Sequence, residues 1–165
     1  MSYDIDAFRV PPGRTAQEFY DDADAREALA ENDSPPTDEE RAVMERVAAG
    51  LLALDPAAER FDGEGFIEIS TDSMQVSVYA REAAITIPYW FSGDEAEPVL
   101  ERAFAYARVL HDTGGFAVAD PQTGEIVDCD DLDVDRVAAL YARGVDVADR
   151  ITEQPERPWW KLWGS

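Results

Sequence analysis

Between residues 66 and 90 polar and apolar side chains alternate through three successive runs, and only tight turns separate them. Phe66–Ser70 leads into the turn Thr71-Asp72-Ser73. Met74, Val76 and Val78 then alternate with Gln75, Ser77 and Tyr79. Arg81-Glu82-Ala83 turns again into Ala84–Trp90, where Ile85, Ile87 and Tyr89 share one face. A period of two is that of a half-buried strand, and connections this short leave no room for a parallel crossover. The segment is therefore an antiparallel meander with one face on a core.

Helical signals flank it. Thr15-Ala16-Gln17-Glu18 and Thr37-Asp38-Glu39-Glu40 both have the form of a capping box, a hydroxyl for the N3 amide and a glutamate reaching back. The first predicts a helix to about Ala30 with a thin stripe of Phe19, Tyr20 and Ala23, peripheral and crowded with acids. The second heads a core helix carrying Val43, Met44, Val47, Leu51 and Leu54, stopped near Asp55-Pro56. Ser92-Gly93-Asp94-Glu95 has the same form before Val99, Leu100, Ala103, Phe104, Ala107 and Leu110, and Gly114-Gly115 supplies a left-handed stop.

At the start, Tyr3 and Ile5 alternate with Asp4 and Asp6 as a strand would, the pattern shifting at Ala7-Phe8 as a bulge would make it. Phe116–Ala119 and Glu125–Asp128, joined by Asp120-Pro121-Gln122-Thr123-Gly124, form a hairpin. A last helix starts near Asp131 or Asp133 and carries Val137, Leu140, Tyr141, Ala148 and Ile151, with Gly144 inside it. The order predicts an α+β domain over residues 1–154: a mostly antiparallel sheet with helices on one face, in the manner of a ferredoxin-like variant. Residues 155–165 form a separate Trp-rich C-terminal tail.

Charge limits the partners. Fourteen Lys and Arg stand against 36 Asp and Glu, a formal net charge of -22. Phosphate polymers need a basic face, and anionic lipid needs a basic patch, so neither nucleic acid nor membrane is an expected partner. A basic protein is, because complementary fields speed encounter. Solubility in a salty or crowded cytosol is the plainer use of the same charge. Cys129 is the lone cysteine, so no internal disulfide forms. The start shows no signal peptide and no apolar run reaches a membrane-spanning length, which together point to the cytoplasm.

No catalytic motif or cofactor fingerprint is spelled out, and no cofactor or metal is expected. Asp128, Asp130, Asp131, Asp133 and Asp135 crowd one stretch, but Leu132 and Asp133 stand where an EF-hand needs an acidic ligand and a glycine. They read as acids at a helix start. His111 falls in the last turn of its helix, where a cation suits the dipole. Acids on both sides of Cys129 oppose thiolate formation. Gly63 and Gly65 precede a strand and form no dinucleotide loop.

The candidate partner-binding residues are aromatic. Tyr79, Tyr89 and Trp90 are placed on a sheet face with Gln75, Ser77 and Thr86, a mixture favoured at protein interfaces; coverage by helices is the alternative. Trp159, Trp160 and Trp163 lie in the tail with Arg157 and Lys161. They suit partner capture, docking on the chain's own body or homo-oligomer formation.

The opening Met-Ser-Tyr-Asp-Ile-Asp-Ala-Phe-Arg-Val, the Ile-Pro-Tyr-Trp that ends the meander, and Gly-Gly-Phe-Ala-Val-Ala-Asp-Pro-Gln-Thr-Gly resemble small uncharacterised bacterial proteins that begin Met-Ser-Tyr-Asp and carry a late Asp-Pro-Gln turn. The resemblance spans residues 2–128. It implies a compact cytosolic α/β domain and transfers no catalytic residue. By analogy with small acidic proteins of this kind, the expected function is a non-catalytic, immunity- or inhibitor-like binding protein for a basic protein. The alternatives are an enzyme with a carboxylate pocket, for which Tyr79, Glu82, Tyr89 and His111 are the residues of interest, and an assembly protein that uses the Trp-rich tail.

Overall fold

The computed structural model describes residues 2–32, 34–131 and 134–152. Seven antiparallel strands form one sheet: β1 (Ser2–Phe8), β2 (Glu59–Asp62), β3 (Phe66–Ser70), β4 (Gln75–Tyr79), β5 (Glu82–Pro88), β6 (Ala117–Asp120) and β7 (Glu125–Ile126). Their order across the sheet is β2-β3-β4-β5-β1-β6-β7. The meander β3-β4-β5 is as the alternation requires. The first strand does not join it at an edge but lies between β5 and β6, pairing antiparallel with both.

Three long helices supply the second layer: α3 (Asp38–Leu54), α4 (Ala96–Gly114) and α5 (Val134–Thr152). α3 connects β1 to the meander and α4 connects β5 to β6. Strands β6-β1-β5-β4 with those two crossovers make a split βαβ pair of the ferredoxin-like kind, widened by β2-β3 on one side and β7 on the other. Tyr3, Ile5, Ile69, Val76, Val78, Ile85 and Ile87 point from the sheet into one core with Val47, Leu51, Leu100, Tyr106, Leu110 and Tyr141 from the helices.

α3 begins as its sequence signature dictates. Thr37 Oγ1 accepts from the Glu40 amide at 3.2 Å, and Glu40 accepts from the Thr37 amide at 2.8 Å. Such a cap contributes about 1 kcal/mol. α4 departs from the expected start. Gly93 stands in the left-handed region at φ +55, and Ser92 makes no side-chain cap. A short 3-10 turn at Gly93–Glu95 precedes the helix instead. α4 ends at Gly115 in the left-handed conformation, φ 68.

The predicted helix over 15–30 is two helices, α1 (Ala16–Tyr20) and α2 (Ala23–Ala30). Asp22 is the cause. It takes an extended backbone and its carboxylate accepts from the Ala25 amide at 3.0 Å, capping a new helix, while also meeting Arg14 at 3.0 Å.

The β1 alternation has no bulge: its register with β5 runs unbroken from Ser2↔Pro88 to Phe8↔Glu82. Phe8 is apolar on the outward face because α1 covers it there. Phe19 and Tyr20 pack on its ring at 5.3 and 5.8 Å, forming a second small core with Ala119. The long helices thus share one face of the sheet, while α1 and α2 lie over one corner of the other.

β2 escapes the sequence pattern because all four of its residues are exposed. Arg60 holds it, bridging to Glu45 on α3 at 2.9 Å and to Asp62 at 2.5 Å. Charges on so short an edge strand discourage pairing with another chain.

Candidate functional site

With α3, α4 and α5 on one side and α1 and α2 confined to a corner, the described residues leave most of the outward face of β1–β5 open. The pairing register arranges that face in rows. Glu59, Ser70, Gln75, Thr86 and Asp4 form one; Phe61, Glu68, Ser77, Ala84 and Asp6 form the next. Glu68 joins the two rows across β3 and β4, accepting from Gln75 Nε2 at 2.6 Å and from Ser70 Oγ at 3.1 Å. Five outward positions, Asp4, Asp6, Glu59, Glu68 and Glu82, are carboxylates, and no outward position of these strands is Lys or Arg.

An aromatic stair closes one end. Phe61 meets Phe66 at 6.1 Å, and Phe66 meets Tyr79 at 5.6 Å. Phe61 and Tyr79 remain 59% and 40% exposed, a contiguous apolar step beside acidic and small polar groups. Sequence reasoning missed Phe61 because its strand carries no alternation, and Phe66 because it counted only as a strand start.

The three candidate aromatics of the meander are not brought together. Tyr79 stands on the open face. Tyr89 continues the inward stripe of Ile85 and Ile87 and packs 5.2 Å from Tyr141 on α5. Its ring lies where a side chain at position 144 would project, 2.3 Å from an ideal Cβ there, which is why α5 tolerates Gly144. Trp90 follows β5 at the opposite end of the strand from Tyr79, 77% exposed. Trp159, Trp160 and Trp163 lie outside the described residues.

Of the residues considered for an enzyme, Tyr79 and Glu82 line common ground and Tyr89 and His111 lie elsewhere. Two adjoining hollows, of about 280 and 570 Å³, open between α2 and the sheet and share Leu29, Ala30, Tyr79 and Glu82. His111 Nδ1 lies 2.9 Å from the Phe116 carbonyl, which can only accept; the proton is therefore on Nδ1, and the ring fastens the end of α4 to β6.

Asp128 Oδ1 accepts from the Asp130 amide at 2.9 Å, a turn contact, and among the described residues no group of three His, Cys, Asp or Glu could hold a metal ion. Asp133 lies outside them. No helix of the described residues is long and apolar enough to cross a membrane.

Cys129 is buried at 4% exposure. That burial, with Asp112 and the flanking acids, pushes its thiol up to about 11, against a smaller pull from Arg108. The thiol is therefore expected to react with a disulfide reagent at pH 8 at least ~100-fold more slowly in the folded protein than in urea. Equal rates in the two states would contradict this burial.

The two sequence motifs at the ends of the domain meet inside it. Tyr3 Oη donates to Asp120 Oδ2 at 2.6 Å across 117 residues, and Asp120 Oδ1 accepts from the Gln122 amide at 2.8 Å. The Asp-Pro-Gln turn is thereby tied to the first strand by a carboxylate that is itself buried. Its role is architectural.

Comparisons with protein-family models, curated proteins and solved structures give no match.

Proposed function

We propose that this chain is a non-catalytic acidic binding protein whose open sheet face engages a basic protein, in the manner of an immunity or inhibitor protein. One observation carries the reading: five carboxylates and no cation on the outward positions of β1–β5, bordered by the stair of Phe61, Phe66 and Tyr79, whose outer rings Phe61 and Tyr79 are exposed. Aromatic anchors beside adaptable polar groups are the composition of a binding surface. The net charge of -22 adds long-range attraction for a cationic partner and repels nucleic acid and anionic lipid. A lone buried thiol accords with a cytoplasmic location, and the immunity-like role rests on analogy with other small acidic proteins.

The test is to isolate the protein bound in native cells and measure its affinity for the purified chain. A partner with a basic isoelectric point is expected. Its affinity should fall at least about tenfold between 50 and 500 mM salt, and again by about tenfold in Glu59→Lys/Glu68→Lys. Asp94→Lys, outside the sheet face, should change it little. A partner whose binding ignores both salt and Glu59→Lys/Glu68→Lys would refute the reading.

A further inference from the structure

The smaller hollow beneath α2 has a definite chemistry. Its floor is the outward face of β1 and β5 at Asp6, Phe8 and Glu82, and its walls include Tyr20, Tyr79 and Leu29. At about 280 Å³ it is at the small end for a ligand pocket, the size for one side chain and not for a large metabolite. α2 closes it loosely, since none of its residues is buried.

Two carboxylates and four aromatic rings, Tyr20 and Tyr79 among them, line this space, and a guanidinium already occupies one end. Arg26 of α2 stands over the Tyr20 ring with its Cζ 4.8 Å from the centroid. Burial, and then Asp4, hold the Asp6 carboxyl above its usual range; Arg26 opposes this, while Glu82 and Asp120 add to it. Asp6, Glu82 and Arg26 are the charged side chains lining the hollow, so one negative charge is left over. The Tyr79 end has the ring and the Glu82 carboxylate at the same strand turn; Arg81, between them, is engaged by Glu40 of α3 at 3.1 Å and by the Ser34 carbonyl.

We propose that the cleft between α2 and the sheet receives an arginine side chain, its guanidinium set against the Tyr79 ring and the Glu82 and Asp6 carboxylates. A planar cation suits this site in two ways: it stacks on an aromatic face and takes carboxylate oxygens side by side. Arg26 displays the same contact in cis at the Tyr20 end. The inference deepens the reading of the open face as a surface for a basic partner and rests on it for the source of the arginine, while the cleft chemistry can be probed alone.

The probe is blocked arginine, N-acetyl-arginine-N-methylamide, titrated into the full chain and followed by backbone amide shifts. Blocked citrulline serves as the neutral isostere and blocked lysine as the compact cation. Saturable millimolar binding of blocked arginine is expected, with shifts centred on Tyr79, Glu82 and α2, at least fivefold tighter than lysine, and no saturation with citrulline. Glu82→Gln and Asp6→Asn should each weaken it severalfold. Arg26→Ala, which removes the built-in guanidinium, should strengthen it, an effect that mere loosening of α2 would not produce. Blocked arginine binding no better than citrulline, or binding untouched by Glu82→Gln and Asp6→Asn in variants that keep the wild-type amide spectrum elsewhere, would overturn the inference. If the native partner binds with the salt and Glu59→Lys/Glu68→Lys dependence given above while the arginine titration fails, the cleft proposal falls and the binding-protein reading stands. If arginine binds while no basic partner is recovered, the reverse holds.

Discussion

Tyr3→Phe is expected to cost about 1.5–3 kcal/mol of folding stability, and Asp120→Ala somewhat more. For a chain of this size that is a fall in melting temperature of roughly 2–4 °C per kcal/mol. Tyr3 is fully buried and Asp120 is 5% exposed, so neither group can turn to water when its partner is removed. Tyr3→Phe deletes a hydrogen bond to a buried carboxylate and leaves that carboxylate with the Gln122 amide. Asp120→Ala strands both the Tyr3 hydroxyl and the Gln122 amide and opens a small void. The double variant should therefore lose less than the sum of the two, by about 1–2 kcal/mol, because the second substitution removes a group the first has already orphaned. Chemical denaturation of the four proteins measures the coupling. Strict additivity would mean that the bond between first strand and late turn contributes nothing.

That bond also marks the limit of what could be read from the chain. Tyr3 was legible as a core residue of an alternating strand, and Asp120 as the first residue of a turn. Nothing in either segment announces the other, because the contact spans 117 residues and depends on β1 lying beside β6.

Local signals fared well where local physics decides. The boxes at Thr15 and Thr37 form, Gly115 stops α4 in the left-handed region, and the meander pairs as its alternation demands. They failed where tertiary contact decides. Asp22 looked like one acid among many on an exposed helix, and only its captured Ala25 amide makes it the residue that splits that helix. Phe8 looked like a bulge because a sequence cannot show that α1 folds over the outward face. Tyr79 and Tyr89 looked like one surface because the strand end at Pro88, with α5 beyond it, was not visible in the pattern. The open acidic face was half legible: its acids and small polar residues are in the sequence, while its extent depends on where two short helices stop.

Raising the pH should unfold this protein between about pH 10 and 12, as a cooperative transition and not a gradual titration. Burial is the first cause in each of five tyrosines whose ionisation is pushed upward. Tyr3 is raised furthest, with the Asp120 carboxylate adding to the effect. Tyr106, fully buried and bonded to Asp55 at 3.3 Å, is raised to about 12. Tyr20, with Asp6 nearby, and Tyr89, with Asp4 nearby, are raised as well. Tyr141 is raised despite the opposing Phe91 amide.

The sign follows from linkage. A group whose folded value lies above its unfolded value of about 10 contributes its full stability below that pH and loses it as the pH climbs toward the folded value. Each phenolate also adds to a chain already at -22, so repulsion grows as the tyrosines ionise. Losing these contributions as the tyrosines ionise works against the ~5–15 kcal/mol that holds a domain folded. Tyrosinate absorbance and far-ultraviolet circular dichroism should therefore change together, and added salt, by screening the like charges, should move the shared midpoint to higher pH. If tyrosinate formed fully near pH 10 with the dichroism intact, these rings would have to be in contact with water, and the packing of Tyr3, Tyr106 and Tyr141 in the core would be wrong.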